Sequence, residues 1–179
     1  MEIRVNNDIS LELLREDHAQ GLFELTDLNR EHLREWLPWL DFTKSASDTK
    51  KFIETTIEQY KNNQGPQFAL KYNGVLCGVN GFHKIDTLHK NGAIGYWLSK
   101  PYSGKGIVTK STKELIKIGF EEYSLHKIEI HCAEGNEKSR AIAERLGFVY
   151  EATLRDCEWL YTKYVSHAIY SMLSSEFNA

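Results

Sequence analysis

Ala93-Ile94-Gly95-Tyr96-Trp97-Leu98-Ser99-Lys100-Pro101-Tyr102-Ser103-Gly104-Lys105-Gly106-Ile107-Val108-Thr109 reads as a strand that passes through a glycine loop into a helix. The strand, Ala93 to Leu98, stops at Ser99-Lys100-Pro101. The helix begins at Gly106 and ends near Glu122, with Ile107, Val108, Leu115, Ile118 and Phe120 as its buried stripe. A helix start offers free backbone N–H groups and the positive end of the helix dipole, and glycines let the main chain approach an anion closely. Lys105 and Lys110 add positive charge. A phosphate-bearing ligand is one reading of this loop, and a plain glycine-containing turn is the other. A Walker loop is disfavoured, because Gly106 follows Gly104-Lys105 where Ser or Thr is needed. A dinucleotide fingerprint is incomplete, because Thr109 stands at its third glycine position.

Outward from the loop the elements follow a mixed order. Upstream, Ile9 to Leu14 reads as a first strand. Asp17 then opens a helix that runs to about Asn29 with Leu22, Phe23 and Leu25 toward the core. A second short helix, Arg30 to Leu37, ends where Pro38 restricts its predecessor. Ser47 and Asp48 are N-cap residues for a third helix to about Asn62, with Phe52, Ile53, Ile57 and Tyr60 on one side. Gln67 to Tyr72 and Val75 to Lys84 are strands joined by Asn73-Gly74, a pair that tolerates the positive φ of a tight hairpin turn. Downstream, Lys127 to Cys132 alternates as a strand, and Asn136 to Leu146 is a helix stopped by Gly147. Val149 to Cys157 and Tyr164 to Met172 are the last strands, and the tail Ser174 to Ala179 is expected to fray. This order predicts a mixed α/β fold with an antiparallel first half, neither a βαβ repeat nor a barrel.

Composition narrows the class. Of 179 residues, 41% are hydrophobic and 26% charged, the proportions of a globular chain. The formal net charge of -3 gives no basic excess for nucleic acid. Cys77, Cys132 and Cys157 form no CxxC pair, and the seven histidines show no HExxH spacing, so neither a disulfide framework nor a metal site is expected. No apolar run approaches the roughly 20 residues of a membrane span. Met1 to Ser10 lacks a basic-then-apolar signal pattern, so a cytoplasmic location is expected.

A second cluster decides between the phosphate readings. Gly135-Asn136-Glu137-Lys138-Ser139-Arg140-Ala141-Ile142-Ala143-Glu144-Arg145-Leu146-Gly147-Phe148 resembles the N-x-x-S…LGF segment of the GNAT acetyltransferase superfamily. Ile94-Gly95-Tyr96-Trp97-Leu98 with Tyr102-Ser103-Gly104-Lys105-Gly106 is similar to the same family's strand and loop. His32-Leu33-Arg34-Glu35-Trp36-Leu37-Pro38-Trp39 and Glu151-Ala152-Thr153-Leu154-Arg155-Asp156 resemble its RimJ/RimL-type branch, which acetylates ribosomal-protein N-termini. The likeness spans nearly the whole chain. It departs at Pro101, where relatives often carry Arg or Gln, and at Ala152, where Gly is usual.

The resemblance implies one GNAT domain over residues 1–179, with a mostly antiparallel sheet flanked by helices and one splayed parallel strand pair. It implies acetyl-CoA as cosubstrate. The pantetheine arm would enter the splay along the backbone of Trp97, Leu98 and Ser99. Tyr102, Ser103, Gly104, Lys105, Gly106, Ile107, Val108 and Thr109 would hold the pyrophosphate. Asn136 would bond the amide-bearing arm or adjacent backbone, and Ser139 would lie near the thioester sulfur. It further implies Glu158 as general base, acting directly or through water, and an acceptor that is a protein N-terminal α-amine. A homodimer is compatible with this.

The chemistry agrees with such roles. A free α-amine has a pKa of roughly 7.7–8.0 against about 10.4 for lysine, so a weak, well-placed base suffices for an N-terminus. Ser139 could donate to the departing sulfur; Tyr161 and Tyr164 are alternative acids. Oxyanion stabilisation would come from backbone N–H near Leu98. Cys132 raises an acetyl-cysteine route, against which stands the usual packing role of a strand cysteine. The acids Glu24, Asp27, Glu31, Glu35 and Asp41 beside Trp36 and Trp39 would attract a basic peptide. A polyamine or aminoglycoside acceptor, or a non-catalytic acetyl-CoA-binding module, fits the same residues.

Overall fold

The computed structural model describes residues 1–177, so Asn178 and Ala179 of the expected frayed tail lie outside the described residues. In chain order the elements are β1 (Glu2–Arg4), β2 (Ile9–Leu13), α1 (Ala19–Leu28), α2 (Arg30–Arg34), α3 (Ala46–Lys61), β3 (Gln67–Tyr72), β4 (Val75–Asp86) and β5 (Asn91–Leu98). They continue with α4 (Ile107–Glu121), β6 (Lys127–Ala133), α5 (Glu137–Arg145), β7 (Val149–Leu160) and β8 (Lys163–Leu173). The eight strands among the described residues lie in one sheet, ordered β1-β2-β3-β4-β5-β6-β8-β7. Every neighbouring pair is antiparallel except β5 with β6.

That parallel pair is short. Its register runs from Asn91 opposite Lys127 to Ile94 opposite Ile130 and then stops. Beyond it β5 follows β4 as far as Leu98 opposite Gly78, while β6 follows β8 as far as Ala133 opposite His167. Two strands held by different partners therefore part company, and the sheet opens into a V whose apex lies just past Ile94 and Ile130.

Packing assigns the two faces. Ile94, Ile128, Ile130, Cys132, Tyr170 and Met172 share a buried cluster with Ile107, Leu115, Ile116 and Ile118 of α4 and Ala143 of α5. Burying a side chain such as Leu115 fully stabilises by about 1.5–3 kcal/mol. Asn80, buried on β4, fastens α4 further by donating to Ser111 Oγ and Thr112 Oγ1 at 2.9 and 3.0 Å. The other face carries Leu14, Ala19, Leu22, Ile53, Ala69 and Val79 under α1 and α3, with Trp97 packed against them.

Local chemistry explains most boundaries. Asn73 (φ 50°) and Gly74 (φ 75°) make the expected hairpin turn. Gly147 (φ 86°) ends α5, where Phe148 N–H donates to Ala143 O at 3.0 Å. Several expectations are corrected. The cap of α3 is Ser45, which accepts from Asp48 N–H, rather than Ser47 or Asp48. Phe52 on that helix is exposed, because Ile53 and Thr56 point to the sheet instead. Strand β1, too short for periodicity to register, pairs with β2 at the sheet edge. Ser174–Glu176 is a 3-10 turn, and Phe177 packs 5.3 Å from Phe120, so the tail is ordered to that point.

Candidate functional site

The glycine loop places unpaired donors at the start of α4. Gly104 (φ 80°) and Gly106 (φ 71°) both sit in the left-handed region, which a side chain would strain. Gly106 caps α4 without any side-chain hydrogen bond, and the first intrahelical bond runs from Lys110 N–H to Gly106 O at 3.0 Å. The N–H groups of Ile107, Val108 and Thr109 thus point outward beside the positive end of the helix dipole. Arg145 reaches across from α5 and donates to Thr109 Oγ1 at 3.0 Å, which brings a fixed cation to this end.

These donors open on a cleft of about 960 Å³ between α4, α5, the diverging end of β5 and the α2 segment. Trp97, Leu98, Ser103, Gly104, Gly106, Ile107, Val108, Thr109, Asn136 and Ser139 all line it, so ten of the expected cosubstrate residues come together. Three do not line it. Tyr102 stands edge-on to Tyr72, with ring centroids 6.0 Å apart, and Lys105 Nζ lies over both rings at 5.0 and 5.4 Å. Ser99 is buried and its N–H donates to Cys77 O at 2.8 Å. Because N–H directions alternate along a strand, this turns the N–H groups of Tyr96 and Leu98 into the splay.

At the apex stands a hydroxyl pair. Asn136 Oδ1 accepts Ser139 N–H at 3.1 Å and so caps α5, which fixes Ser139 in the first turn. Ser139 Oγ lies 3.0 Å from the Tyr96 hydroxyl. Burial raises the Tyr96 phenol further above its already high ordinary pKa, so it stays protonated and can donate. Cys132 adjoins Ser139 from β6. Burial raises its thiol, and the Ser139 hydrogen bond only partly opposes this. A thiol held protonated is a poor nucleophile.

Glu158 lies on β7, two strands away from β6 through β8, and does not line the cleft. Its Oε2 is 3.2 Å from His167 Nε2, and His167 sits opposite Ala133 at the open end of β6. Tyr164 is exposed and stacks edge-on with Trp159 at 5.0 Å. Tyr161, at the tip of the β7–β8 hairpin with φ 59°, is committed elsewhere: its hydroxyl donates to Leu37 O and accepts from Leu40 N–H. The Arg34 guanidinium lies 3.7 Å from the Tyr161 ring centroid and is paired with Asp41.

This hairpin tip thereby holds the roof of the cleft. The ring of Trp36 comes within 3.8 Å of the point where a side chain on Gly135 would begin, and Trp39 packs at 6.2 Å from Trp97. Of the five acids expected on the rim, Asp27 and Asp41 are neutralised by Arg30 and Arg34, while Glu35 lines the cleft beside His32. Sequence reading gave no role to Tyr96 or Arg145, although both lie inside quoted motifs. Their partners are 43 and 36 residues away, beyond any local pattern.

Comparison with known proteins places this geometry. Residues 8–149 match the acetyltransferase (GNAT) domain family. YdaF of Bacillus subtilis (strain 168) is 38% identical, over 97% of this chain and 96% of its own length. The ribosomal-protein-serine acetyltransferase of Escherichia coli (strain K12) is 29% identical, over 96% of both chains. The solved structure of RimL, a ribosomal L7/L12 α-N-protein acetyltransferase in complex with coenzyme A, superposes with a TM-score of 0.93 at 25% identity. It covers 97% of this chain and 98% of its own.

Proposed function

Because the chain belongs to the GNAT acetyltransferases and takes its acetyl group from acetyl-CoA, we propose that its acceptor is the N-terminal α-amine of a protein, with a cytoplasmic ribosomal protein as the first candidate. The α-N-protein acetyltransferase activity named for RimL supports this acceptor, and the Tyr96–Ser139 hydroxyl pair at the apex of the splay supplies groups for the transfer. The residues present suit the cosubstrate: unpaired N–H groups and Arg145 for its phosphates, and turned-in strand donors at Tyr96 and Leu98 for its arm.

In this reading Tyr102 through Thr109 form the phosphate-binding turn, with Lys105 acting through the field near Tyr72 and Tyr102. Trp97 and Leu98 guide the arm together with Tyr96, while Ser99, the third expected residue, anchors the strand end to Cys77 instead, and Asn136 fixes the turn that presents Ser139. Ser139 donates its hydroxyl proton to the leaving sulfur and regains one relayed through Tyr96, the proton lost by the acceptor nitrogen restoring the Tyr96 phenol. The Leu98 N–H polarises the carbonyl being attacked. Glu158, steadied by His167, is the final recipient of the amine proton through intervening groups. Transfer is direct, since Cys132 is held as a thiol.

The test is thiol release from acetyl-CoA with a basic peptide bearing a free N-terminus. The comparators are the same peptide with a blocked N-terminus and internal lysine, and spermidine. Free N-terminal peptide should be used at least tenfold faster than either; equal use of the blocked peptide or spermidine would overturn the α-amine assignment.

A further inference from the structure

The face of the splay opposite Ser139 carries its own set of proton-accepting groups. Gly95 and His131 are the first residues past the last β5–β6 pair, so they mark the two sides of the apex. A β-bulge in β4 between Phe82 and Lys84 turns His83 out of register. Its imidazole then comes against Gly95 with the Nε2 end nearest: a Cβ built there would fall 1.7 Å from His83 Nε2. Only glycine leaves room for that ring. Side chains at Gly95 and Trp97 share a face, and Trp97 packs with the α1 and α3 side, so His83 stands on that side.

His131 stands there too. Its neighbours Ile130 and Cys132 point into the α4–α5 core, and alternation sends Glu129 and His131 the other way. His131 Nε2 is 2.8 Å from Glu129 Oε2, and Lys127 Nζ is 2.6 Å from Glu129 Oε1. Burial pushes the Glu129 carboxyl up, but the hydrogen bonds from Lys127 and His131 outweigh it and hold the group below its ordinary value. Glu129 is therefore a carboxylate that orients His131. On the neighbouring strand His131 faces Ile169, which places His167 at the diagonal position, about 7–8 Å away in a regular antiparallel pair. His167 in turn meets Glu158.

We propose that His83 and His131, the latter oriented by Glu129, are the groups that take the proton from the acceptor amine, and that His167 links them to Glu158. This rests on the α-amine reading above. The ammonium first gives one proton to the imidazoles. The nitrogen lone pair then forms the new bond to the acetyl carbon, the carbon–sulfur bond breaks, and sulfur leaves with its electron pair. The nitrogen sheds a second proton as the amide forms. One proton ends on the thiol by way of Ser139, and one passes along the histidine row to Glu158, which later releases it to solvent. His83 suits its part: it is reached by solvent yet set deep enough that burial lowers its pKa, with His131 close enough to oppose a second positive charge beside it. It is thus neutral and receptive near pH 7. The titratable and charged groups around the row are Lys84 on β4, Lys127 and Glu129 on β6, and His167 and Glu158 on β8 and β7.

The experiment measures kcat/KM from pH 6 to 9 for wild type, His131→Gln, His83→Gln, the double variant and Glu129→Gln, using a free N-terminal peptide. Acetyl-CoA affinity is followed by calorimetry. His131→Gln and the double variant should lose on the order of 10- to 100-fold at pH 7, since base catalysis of this kind contributes roughly 10²–10⁴-fold and an α-amine is already partly neutral. The loss should shrink toward pH 9. It should vanish for a weakly basic acceptor amine that is neutral throughout this range. Glu129→Gln should move the acidic limb of the profile without changing acetyl-CoA affinity. Equal losses at every pH and with the weakly basic amine would show a packing role and overturn the proposal, as would full activity in the double variant. His131→Asn serves as the second variant where His131→Gln folds poorly. A wild-type chain that acetylates no amine would instead overturn the α-amine reading itself.

Discussion

The Tyr96 hydroxyl and Ser139 Oγ meet at 3.0 Å across the mouth where β5 and β6 separate. One comes from a strand and the other from a helix start 43 residues later. Their contact exists only because the sheet opens there. The Tyr96 hydroxyl is also within 3.3 Å of Ser139 O, so the tyrosine can hold the serine by two atoms.

Ser139→Ala should therefore lower kcat on the order of 10- to 100-fold while leaving acetyl-CoA affinity within about twofold, because leaving thiol, with a pKa near 8.5, needs only modest help. The α5 cap survives this change, since Asn136 accepts from the backbone N–H of residue 139. Tyr96→Phe should cost less, about 5- to 20-fold in kcat, by removing the group that resupplies Ser139. Steady-state thiol release gives both numbers. A change confined to KM for acetyl-CoA would move these hydroxyls from chemistry to binding.

Gly106 links backbone conformation to binding. Its φ of 71° is left-handed, and an alanine there costs about 1–2 kcal/mol of strain. Relaxing that strain would rotate the first N–H groups of α4. Gly106→Ala should weaken acetyl-CoA binding about 5- to 20-fold by calorimetry. Gly106→Asn should recover part of the loss, because asparagine tolerates this region better. Both variants binding like wild type would mean that the turn contributes no donors.

The strand–loop–helix core of the site was legible because each piece follows local rules. Glycine at a helix start, Asn136 as a cap and Gly147 as a stop act within a few residues. What escaped were relations across strands. The bulge that lays His83 on Gly95 appears only once β4 and β5 are in register. Tyr161 is one of the alternative acids that the sequence offers, yet its hydroxyl is bonded to Leu37 and Leu40, more than 120 residues upstream. Phe52 shows the opposite failure: an apolar position that the period allowed, but that the sheet does not reach.

Acid stability should depend on Glu12. Lys71 donates to its carboxylate first of all; burial opposes, and Arg15 and His18 add hydrogen bonds, so its pKa falls to about 2. A carboxyl whose pKa is lower in the folded state than in the unfolded chain stabilises the fold when ionised. That contribution is complete above about pH 4.5 and is lost as pH falls toward 2. The shift corresponds to at most about 3–4 kcal/mol at 1.36 kcal/mol per pKa unit. Glu12→Gln should flatten the unfolding free energy between these limits in urea titrations. An unchanged acid limb would place the acid sensitivity elsewhere.

Tyr161 ties the β7–β8 hairpin to the cleft roof, and its loss should separate acceptor binding from cosubstrate binding. The hydroxyl satisfies Leu37 O and Leu40 N–H, and the ring supports Arg34, which also holds Asp41. Tyr161→Phe removes both hydrogen bonds but keeps the ring under Arg34. Leaving two partly buried backbone groups unpaired costs about 1–3 kcal/mol, and that cost falls on the segment carrying Trp36 and Trp39. The helix start that follows the glycine loop is anchored elsewhere, by Arg145 of α5 donating to Thr109 Oγ1. KM for the acceptor peptide should therefore rise about 5- to 10-fold while acetyl-CoA affinity stays within about twofold. Peptide kinetics and acetyl-CoA calorimetry on the same preparation check this. A parallel loss in both would mean that the roof and the phosphate turn move as one body.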